Sequence, residues 1–322
     1  MVFRTVLPPL KAHFDCSYKT LTLAVGSCFA ENMGARLSDL RLPTAINPFG
    51  ILYNPISIAH CLNYLVTDAI FTENDIFETQ GLWHSWQHHG KFSSPKKDEI
   101  LRGVNESLSE ARQFFKNVKR LIITLGTANV FIEKQSGEVV ANCHKVPASH
   151  FDRKRLSVDD IVESLSQCFN KITAQNNDIQ VIITVSPIRH IKEGLIENQR
   201  SKAVLLLATE ALCNKLPNVH YFPAYEIMMD DLRDYRFYEA DMIHPNNQAI
   251  DYIWQAFSDT FFTDDTKKII DDVRKVQLMQ QHRPLHPDTE EYQLFVNNLK
   301  KKEEELIIKY SFLNTPPPQF SE

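Results

Sequence analysis

The sequence predicts an α/β fold in which helices cover both faces of a parallel sheet. Along most of the 322 residues, short apolar or β-branched runs alternate with helical patterns of about ten to twenty residues. Two of the short runs, Lys119–Thr124 and Ile179–Val185, contain continuous stretches of apolar and β-branched residues (LIIT and VIITV), which is typical of strands buried on both faces. The hydrophobic content of 43% is sufficient for a large core.

The opening unit of this fold, Leu21–Asn32, is predicted to be a strand, a tight turn and a helix. The strand residues Leu21–Val25 stop at Gly26, which lets the backbone turn without a Cβ clash, and a helical pattern follows at once. Ser27 and Cys28 then fall at the helix N-terminus, where unpaired N–H groups favour negative charge. A hydroxyl at this place is either a nucleophile beside its own oxyanion site or an N-cap.

The elements that follow continue the alternation of strands and helices. Thr44–Asn47 is a short second strand that Pro48 ends, and Val219–Phe222 is the last strand. Ser157 is predicted to be an N-cap, because Asp160 three positions later completes a capping box. The patterns place helices at Ala30–Leu40, Ile56–Leu65, Lys97–Asn117, Ser157–Ala174, Asn198–Leu216, Tyr225–Leu232 and Asn247–Phe261, and a hairpin at Val130–Val140.

Residues 71–95 interrupt the alternation with an aromatic and histidine-rich insertion. The stretch Phe77–Ser94 is hairpin-like, and long insertions of this kind are usually functional loops. We therefore expect the insertion to line the substrate cleft, with Trp86 and His88 as substrate-binding residues. Two other interpretations stay open: the aromatic side chains pack as a lid, or the histidines bind a metal ion, although no carboxylate is spaced to join them.

Residues 263–322 differ in composition from the α/β part. The charged helical patterns in this region are Asp264–Gln281 and Asp288–Tyr310. A run such as Lys300–Glu305 usually forms a solvated helix face. We expect Thr315–Pro318 to be disordered, because it contains three consecutive prolines. The sequence thus predicts an α/β domain at 1–262 and a helical C-terminal extension at 263–322.

Charge and composition exclude several functional classes. The net charge of −5 provides no basic surface for nucleic acid or an anionic membrane, and apolar runs such as Ala203–Ala208 are too short to span a bilayer. The first residues contain prolines and charges where a signal peptide needs an apolar core, so we expect a cytoplasmic protein. The six cysteines have no paired spacing, which predicts free thiols, and neither a metal nor another cofactor is expected.

Three polar spots follow strand ends of the predicted sheet, at Gly26-Ser27, Gly126–Asn129 and Asp241–His244. Asp241 and His244 are three residues apart, so the carboxylate can orient the imidazole and leave its other nitrogen for the Ser27 hydroxyl. The oxyanion donors would be the backbone N–H groups of Ser27 and Gly50 and the side-chain amide of Asn129. This set predicts acyl transfer with Ser27, His244 and Asp241 as nucleophile, base and orienting group.

The three spots together resemble the blocks of the SGNH (GDSL-like) hydrolase superfamily, including its Gly-x-Asn and Asp-x-x-His blocks. The string GSCFA at residues 26–30 narrows the resemblance to the GSCFA family, a bacterial SGNH-like group, over about residues 1–262. The resemblance implies a three-layer α/β/α sandwich with a flavodoxin-like parallel sheet, and ester hydrolysis without a named substrate. The chain departs from the superfamily in having Gly-Ser for Gly-Asp-Ser, and Asn129 comes one position later than usual.

Together these observations predict a serine esterase that removes small acyl groups, such as O-acetyl groups on a carbohydrate. Arg189 and His190 follow a strand end and are expected to bind substrate at the same edge, although Arg189 could instead pair with Glu193 or Glu197. Two other functions stay open. One is a catalytically silent module of the same fold that binds a sugar or an acyl ligand, and the other is an acyltransferase with Cys28 as nucleophile. The oligomeric state is open as well.

Overall fold

The computed structural model describes residues 4–8, 10–282, 286 and 288–314. The stretch Thr315–Pro318, which was predicted to be disordered, lies outside the described residues. Within them the strands are β1 (Leu21–Gly26), β2 (Thr44–Ile46), β3 (Ile76–Thr79), β4 (Leu82–Ser85), β5 (Val118–Leu125), β6 (Asn129–Glu133), β7 (Val139–Val140), β8 (Phe151–Arg155), β9 (Gln180–Val185) and β10 (Val219–Tyr221). The helices are α1 (Cys28–Asp39), α2 (Pro55–Leu65), α3 (Lys97–Phe115), α4 (Val158–Gln175), α5 (Leu195–Lys215), α6 (Ala224–Glu226), α7 (Asn247–Phe261), α8 (Asp264–Gln280) and α9 (Glu290–Lys309).

One parallel sheet forms the centre of the fold. Its five strands lie in the order β10, β9, β5, β1 and β2, and every neighbouring pair is parallel. Read from the other edge and numbered along the chain, the order is 2-1-3-4-5, which is the flavodoxin-like arrangement. The predicted α/β fold with a parallel sheet is therefore confirmed.

Helices cover both faces of this sheet because alternate strand residues point to opposite sides. In β1, Leu23 and Val25 belong to one apolar core, which α2, α3, α4 and α5 complete. Ala24 between them belongs to a second core, with residues of α1 and α7. The result is the three-layer sandwich that the resemblance implied.

The C-terminal helices pack on the second of these cores. Helix α8 buries Ile270, Val273 and Val276, whereas α9 buries only Leu306 among its residues. The charged run Lys300–Glu305 is largely exposed, as expected for a solvated helix face. In the described part of the chain no helix has the length and apolar character needed to cross a membrane.

Two small antiparallel sheets lie outside the central one. Strands β3 and β4 form the hairpin expected in the insertion, and β7, β6 and β8 form a three-stranded sheet. The sequence predicted the hairpin that contains β6 and β7 but missed β8. Only Phe151 is buried in β8, and its other four residues are exposed, so the strand lacks the apolar alternation on which such a prediction depends.

The turn after β1 depends on glycine. Gly26 has a φ of +139°, and a Cβ on it would lie 2.2 Å from the carbonyl oxygen of Thr124. We expect Gly26→Ala to lower the free energy of unfolding by at least about 3 kcal/mol, measured by chemical denaturation. Gly81→Ala is the matched control, because Gly81 also has a positive φ but has no atom within 4 Å of the added Cβ. It should lose only about 1–2 kcal/mol, and equal losses would contradict the clash.

Candidate active site

The carboxyl ends of β1 and β5 meet where the strand order reverses, which is where open α/β sheets bind ligands. The segment Leu52-Tyr53 covers both ends. The N–H of Leu52 donates to the carbonyl of Gly26 at 2.9 Å, and the N–H of Gly126 donates to the carbonyl of Tyr53 at 2.8 Å. Two of the three predicted polar spots, those after β1 and β5, are thus neighbours.

The end of β9 adds a histidine to this edge. The N–H of Ser186 donates to the carbonyl of Leu125 at 2.8 Å, which continues the sheet past the strand. The His190 ring lies edge-on to Tyr53, and its Nε2 is 3.2 Å from where a Cβ of Gly126 would be. Burial lowers the pKa of His190 to about 3, with smaller contributions from Lys202 and His244, so the ring is neutral at pH 7. His190 is therefore at the predicted edge.

The Ser27 side chain caps helix α1. It is 0% exposed, and its Oγ accepts a hydrogen bond from the N–H of Phe29 at 3.3 Å. The N–H of Ser27 donates to the carbonyl of Thr124 at 3.2 Å and so extends the pairing of β1 with β5. This N–H is therefore not free for an oxyanion, which corrects one predicted donor.

Cys28 is the first residue of α1 and is half-buried. Burial, the largest influence, raises the pKa of its thiol, and Glu31 raises it as well. The backbone N–H groups of Cys28 and Phe29 and the side chain of Lys202 act in the opposite direction. The thiol thus lies at the helix N-terminus, but burial outweighs the N–H groups there and the pKa of the thiol is raised.

Lys202 of α5 lies beneath this edge and was not predicted. It is 1% exposed, and its Nζ donates to the carbonyls of Gly126 and Ser186, each at 2.7 Å. Burial lowers its pKa to about 7. Sequence reasoning missed its burial because the buried residues Asn198 and Thr209 on the same helix face are polar and give no apolar stripe.

Asp241 and His244 form a hydrogen-bonded pair in the loop before α7. Nδ1 of His244 and Oδ2 of Asp241 are 2.7 Å apart, and Oδ1 of Asp241 accepts from the N–H groups of Ile243 and His244 at 2.8 and 3.0 Å. These hydrogen bonds, led by the His244 N–H, lower the pKa of Asp241 to about 2. The side chains are 45% and 48% exposed, so the pair is accessible to a substrate.

The loop that carries this pair is tied to the end of β9. The N–H of Arg189 donates to the carbonyl of Ile243 at 3.3 Å, and its guanidinium contacts the carbonyl of Met242 at 3.4 Å. The same guanidinium lies over the ring of Tyr238, at 4.3 Å. Arg189 thus holds the His244 loop, and its part in substrate binding stays a prediction. The alternative ion pair is not formed, because Glu193 pairs with Arg153 and Glu197 with Arg155.

The other two predicted oxyanion donors are the N–H of Gly50 and the side-chain amide of Asn129. The N–H of Gly50 donates to the carbonyl of Asn47 at 2.8 Å within a turn, so it is not free either. Asn129 begins β6 and pairs with Arg155 in the three-stranded sheet, and its contribution stays a prediction. Both backbone assignments are therefore corrected, because each N–H already has an acceptor within the fold.

The insertion packs into the body at His88, whereas Trp86 is partly exposed and its part in substrate binding stays a prediction. His88 is 1% exposed and stacks on Phe49, with ring centroids 4.7 Å apart and an angle of 8° between the rings. This burial lowers its pKa to about 3 and corrects the expectation that His88 binds substrate. Trp86 stacks on Phe77 at 3.6 Å and meets Phe151 edge-on. In the described residues no group of three metal-binding side chains is assembled.

Comparison with known proteins assigns the chain to a family. A search of curated proteins gave no match. Among solved structures, a carbohydrate esterase family 3 protein from Talaromyces cellulolyticus is similar over 80% of this chain and 99% of its own, with 11% identity and a TM-score of 0.33. The model of the GSCFA domain protein, C-terminal domain, matches residues 273–316. The model of the GSCFA family matches residues 22–257, which is most of the sequence, and the chain therefore belongs to the GSCFA family.

Proposed function

We propose that the chain is a hydrolase of small acyl esters built on an SGNH-like fold, with its nucleophile at the N-terminus of α1. His244 acts as general base and acid, and Asp241 orients it. The observation that carries the proposal is the 2.7 Å hydrogen bond of Asp241 to Nδ1 of His244, which leaves Nε2 for proton transfer. The loop of this pair is bonded to the segment after β9, beside the ends of β1 and β5.

Cys28 is the nucleophile that the geometry favours over Ser27. The Ser27 hydroxyl is fully buried and caps α1 by accepting a hydrogen bond from the N–H of Phe29. The Cys28 side chain is half-buried, beside two backbone N–H groups of the helix. The predicted serine is therefore replaced in this proposal by the neighbouring cysteine.

The reaction has two steps with a thioester intermediate. Nε2 of His244 takes the proton of the Cys28 thiol as the sulfur bonds to the ester carbonyl carbon. The backbone N–H of Cys28 at the start of α1 stabilises the oxyanion, the carbon–oxygen bond breaks, and His244 gives its proton to the leaving alcohol. His244 then activates water, which cleaves the thioester, releases the carboxylic acid and restores the thiol.

The shape of the site at the carboxyl edge of the sheet favours an ester with a small acyl group and a larger alcohol. Around Gly126 the space is narrow, because the Tyr53 carbonyl and His190 would lie 3.0 and 3.2 Å from an added Cβ. The side of His244 is open, with about half of its side chain exposed. We accordingly propose acetyl as the acyl group and a carbohydrate hydroxyl as the alcohol.

Trapping of the intermediate tests this function. The protein is mixed with p-nitrophenyl acetate, quenched in acid after one turnover and digested, and the acetylated peptide is mapped by mass spectrometry. We expect acetyl on Cys28, removable with neutral hydroxylamine as a thioester is. Acetyl on Ser27 would restore the serine mechanism. Absence of both adduct and turnover would favour a silent binding module, and faster product release on addition of an alcohol would favour an acyltransferase.

A further inference from the structure

A small pocket that the proposed reaction does not use lies beside the loop of the catalytic base. Its volume is about 120 Å³, and it is formed by the helix that follows β10 and by the turn Tyr235–Phe237. The end of the helix contributes the apolar side chains of Met228, Met229 and Leu232, and Arg189 supplies a guanidinium. Such a combination of apolar, aromatic and a few polar groups is typical of ligand sites.

The pocket is joined to the chain on both sides of His244. Arg189, which lines the pocket, donates from its backbone N–H to the carbonyl of Ile243 at 3.3 Å. Tyr238, which also lines it, pairs with Pro245 in an antiparallel bridge. Because both immediate neighbours of His244 are held by pocket residues, the pocket lies next to the group that protonates the leaving alcohol. A group bound there therefore belongs to the alcohol of the ester.

The helix beside the pocket contains a π-helical turn at Ile227–Asp231. Such turns are rare and occur frequently at functional sites. This one contributes Met228, which is buried, and Met229, which is half-buried, to the lining. Methionine side chains adapt to irregular shapes, so this side of the pocket can fit against a puckered ring.

Tyr235 presents an aromatic ring to solvent at this pocket. The residue is 60% exposed, although the Arg189 guanidinium lies 5.2 Å from its ring centre. Covering an exposed ring gains roughly 25 cal/mol per Å² of apolar area. In the part of the chain that the structure describes, Arg189 forms no ion pair, since Glu193 and Glu197 pair with other arginines, so its N–H donors can serve hydroxyl groups.

We propose that this pocket is the subsite for the leaving alcohol and that its ligand is a pyranose unit. The C–H face of the sugar stacks on Tyr235, and its hydroxyl groups accept from Arg189. The volume of about 120 Å³ is below the roughly 300–1,000 Å³ of sites that enclose a whole ligand, so one sugar unit binds, partly over the exposed ring. The inference rests on the proposed function and names the alcohol that the esterase selects.

Binding of a sugar without an ester tests the subsite separately from catalysis. Methyl glucopyranoside is titrated into the whole protein and observed by saturation-transfer NMR, with phenol titrated in parallel. We expect the glucoside to bind, and Tyr235→Ala to weaken its binding by about tenfold. Tyr235→Phe keeps the ring and is the matched control, with binding like that of the wild type. Tyr235 is substituted rather than Arg189, because Arg189 also holds the His244 loop.

Turnover gives a second readout. Tyr235→Ala should raise KM for an acetylated methyl glucopyranoside by about tenfold with a much smaller change in kcat, because stacking contributes equally to the ground state and the transition state. The rise in KM should be smaller for ethyl acetate, whose alcohol is too short to cover the ring.

Three results would overturn the proposal: no binding of the glucoside to the wild type, equal binding by Tyr235→Ala, or binding of phenol without the glucoside, which would mean an aryl alcohol. A wild type that binds the glucoside through Tyr235 but hydrolyses no ester would contradict the proposed function and support the pocket as a sugar site.

Discussion

We expect Cys28→Ala to lower kcat/KM for p-nitrophenyl acetate by at least about 10³-fold, which corresponds to about 4 kcal/mol of transition-state stabilisation. The substitution removes the only atom that would form a covalent bond with the acyl group. Because Cys28 begins helix α1 and is half-buried, alanine should be accommodated there with little loss of stability. Steady-state hydrolysis and a thermal melt of the same sample measure the two effects.

Ser27→Ala is the matched control, because it changes the neighbouring residue and keeps the thiol. Its hydroxyl caps α1, so its loss should lower stability by about 1 kcal/mol and leave most of the activity. Cys28→Ser should retain a small part of the activity, since a hydroxyl is a weaker nucleophile at the same position. The reverse pattern, with Ser27→Ala inactive and Cys28→Ala active, would contradict the choice of nucleophile.

The sequence was sufficient to locate this edge but not to choose between Ser27 and Cys28. The apolar run Leu21–Val25, the stop at Gly26 and the spacing of Asp241 and His244 each follow from local chemistry. Which of two adjacent residues faces the cleft depends on the residue at which the helix begins. Sequence patterns place a helix end only to within a few residues, whereas the structure begins α1 at Cys28.

Burial of polar residues was the other feature that the sequence did not reveal. Lys202 lies in a helix that was predicted correctly, yet lysine is rarely buried, so composition alone argued for the surface. His88 lies in an irregular insertion whose sequence has no hydrophobic periodicity, so no buried face could be assigned to it. In the structure its ring is buried and stacks on Phe49. The N–H of Ser27 is bonded to the carbonyl of Thr124, far along the chain, and the N–H of Gly50 is bonded to Asn47 within a turn. Neither contact could be predicted from the local sequence.

We expect His244→Ala to lower kcat/KM by about 10³-fold or more, because the imidazole that Asp241 orients is the group that transfers the proton in this mechanism. Asp241→Asn should cost less or a similar amount, since the carboxylate supplies orientation and tautomer rather than a proton. The pKa of Asp241 is lowered to about 2, so its carboxylate stays charged until the pH falls through that value. Activity lost between pH 7 and pH 4 therefore does not come from Asp241.

The double variant Cys28→Ala/His244→Ala decides whether these residues form one catalytic unit. If the imidazole works only on the thiol, its removal has no further effect once the thiol is gone, and the double variant should be about as inactive as either single one. The measurement is kcat/KM for the aryl acetate in all four proteins, after folding is checked by circular dichroism. Losses that simply add would mean that His244 acts on the substrate independently of Cys28, and the proposed mechanism would then be wrong.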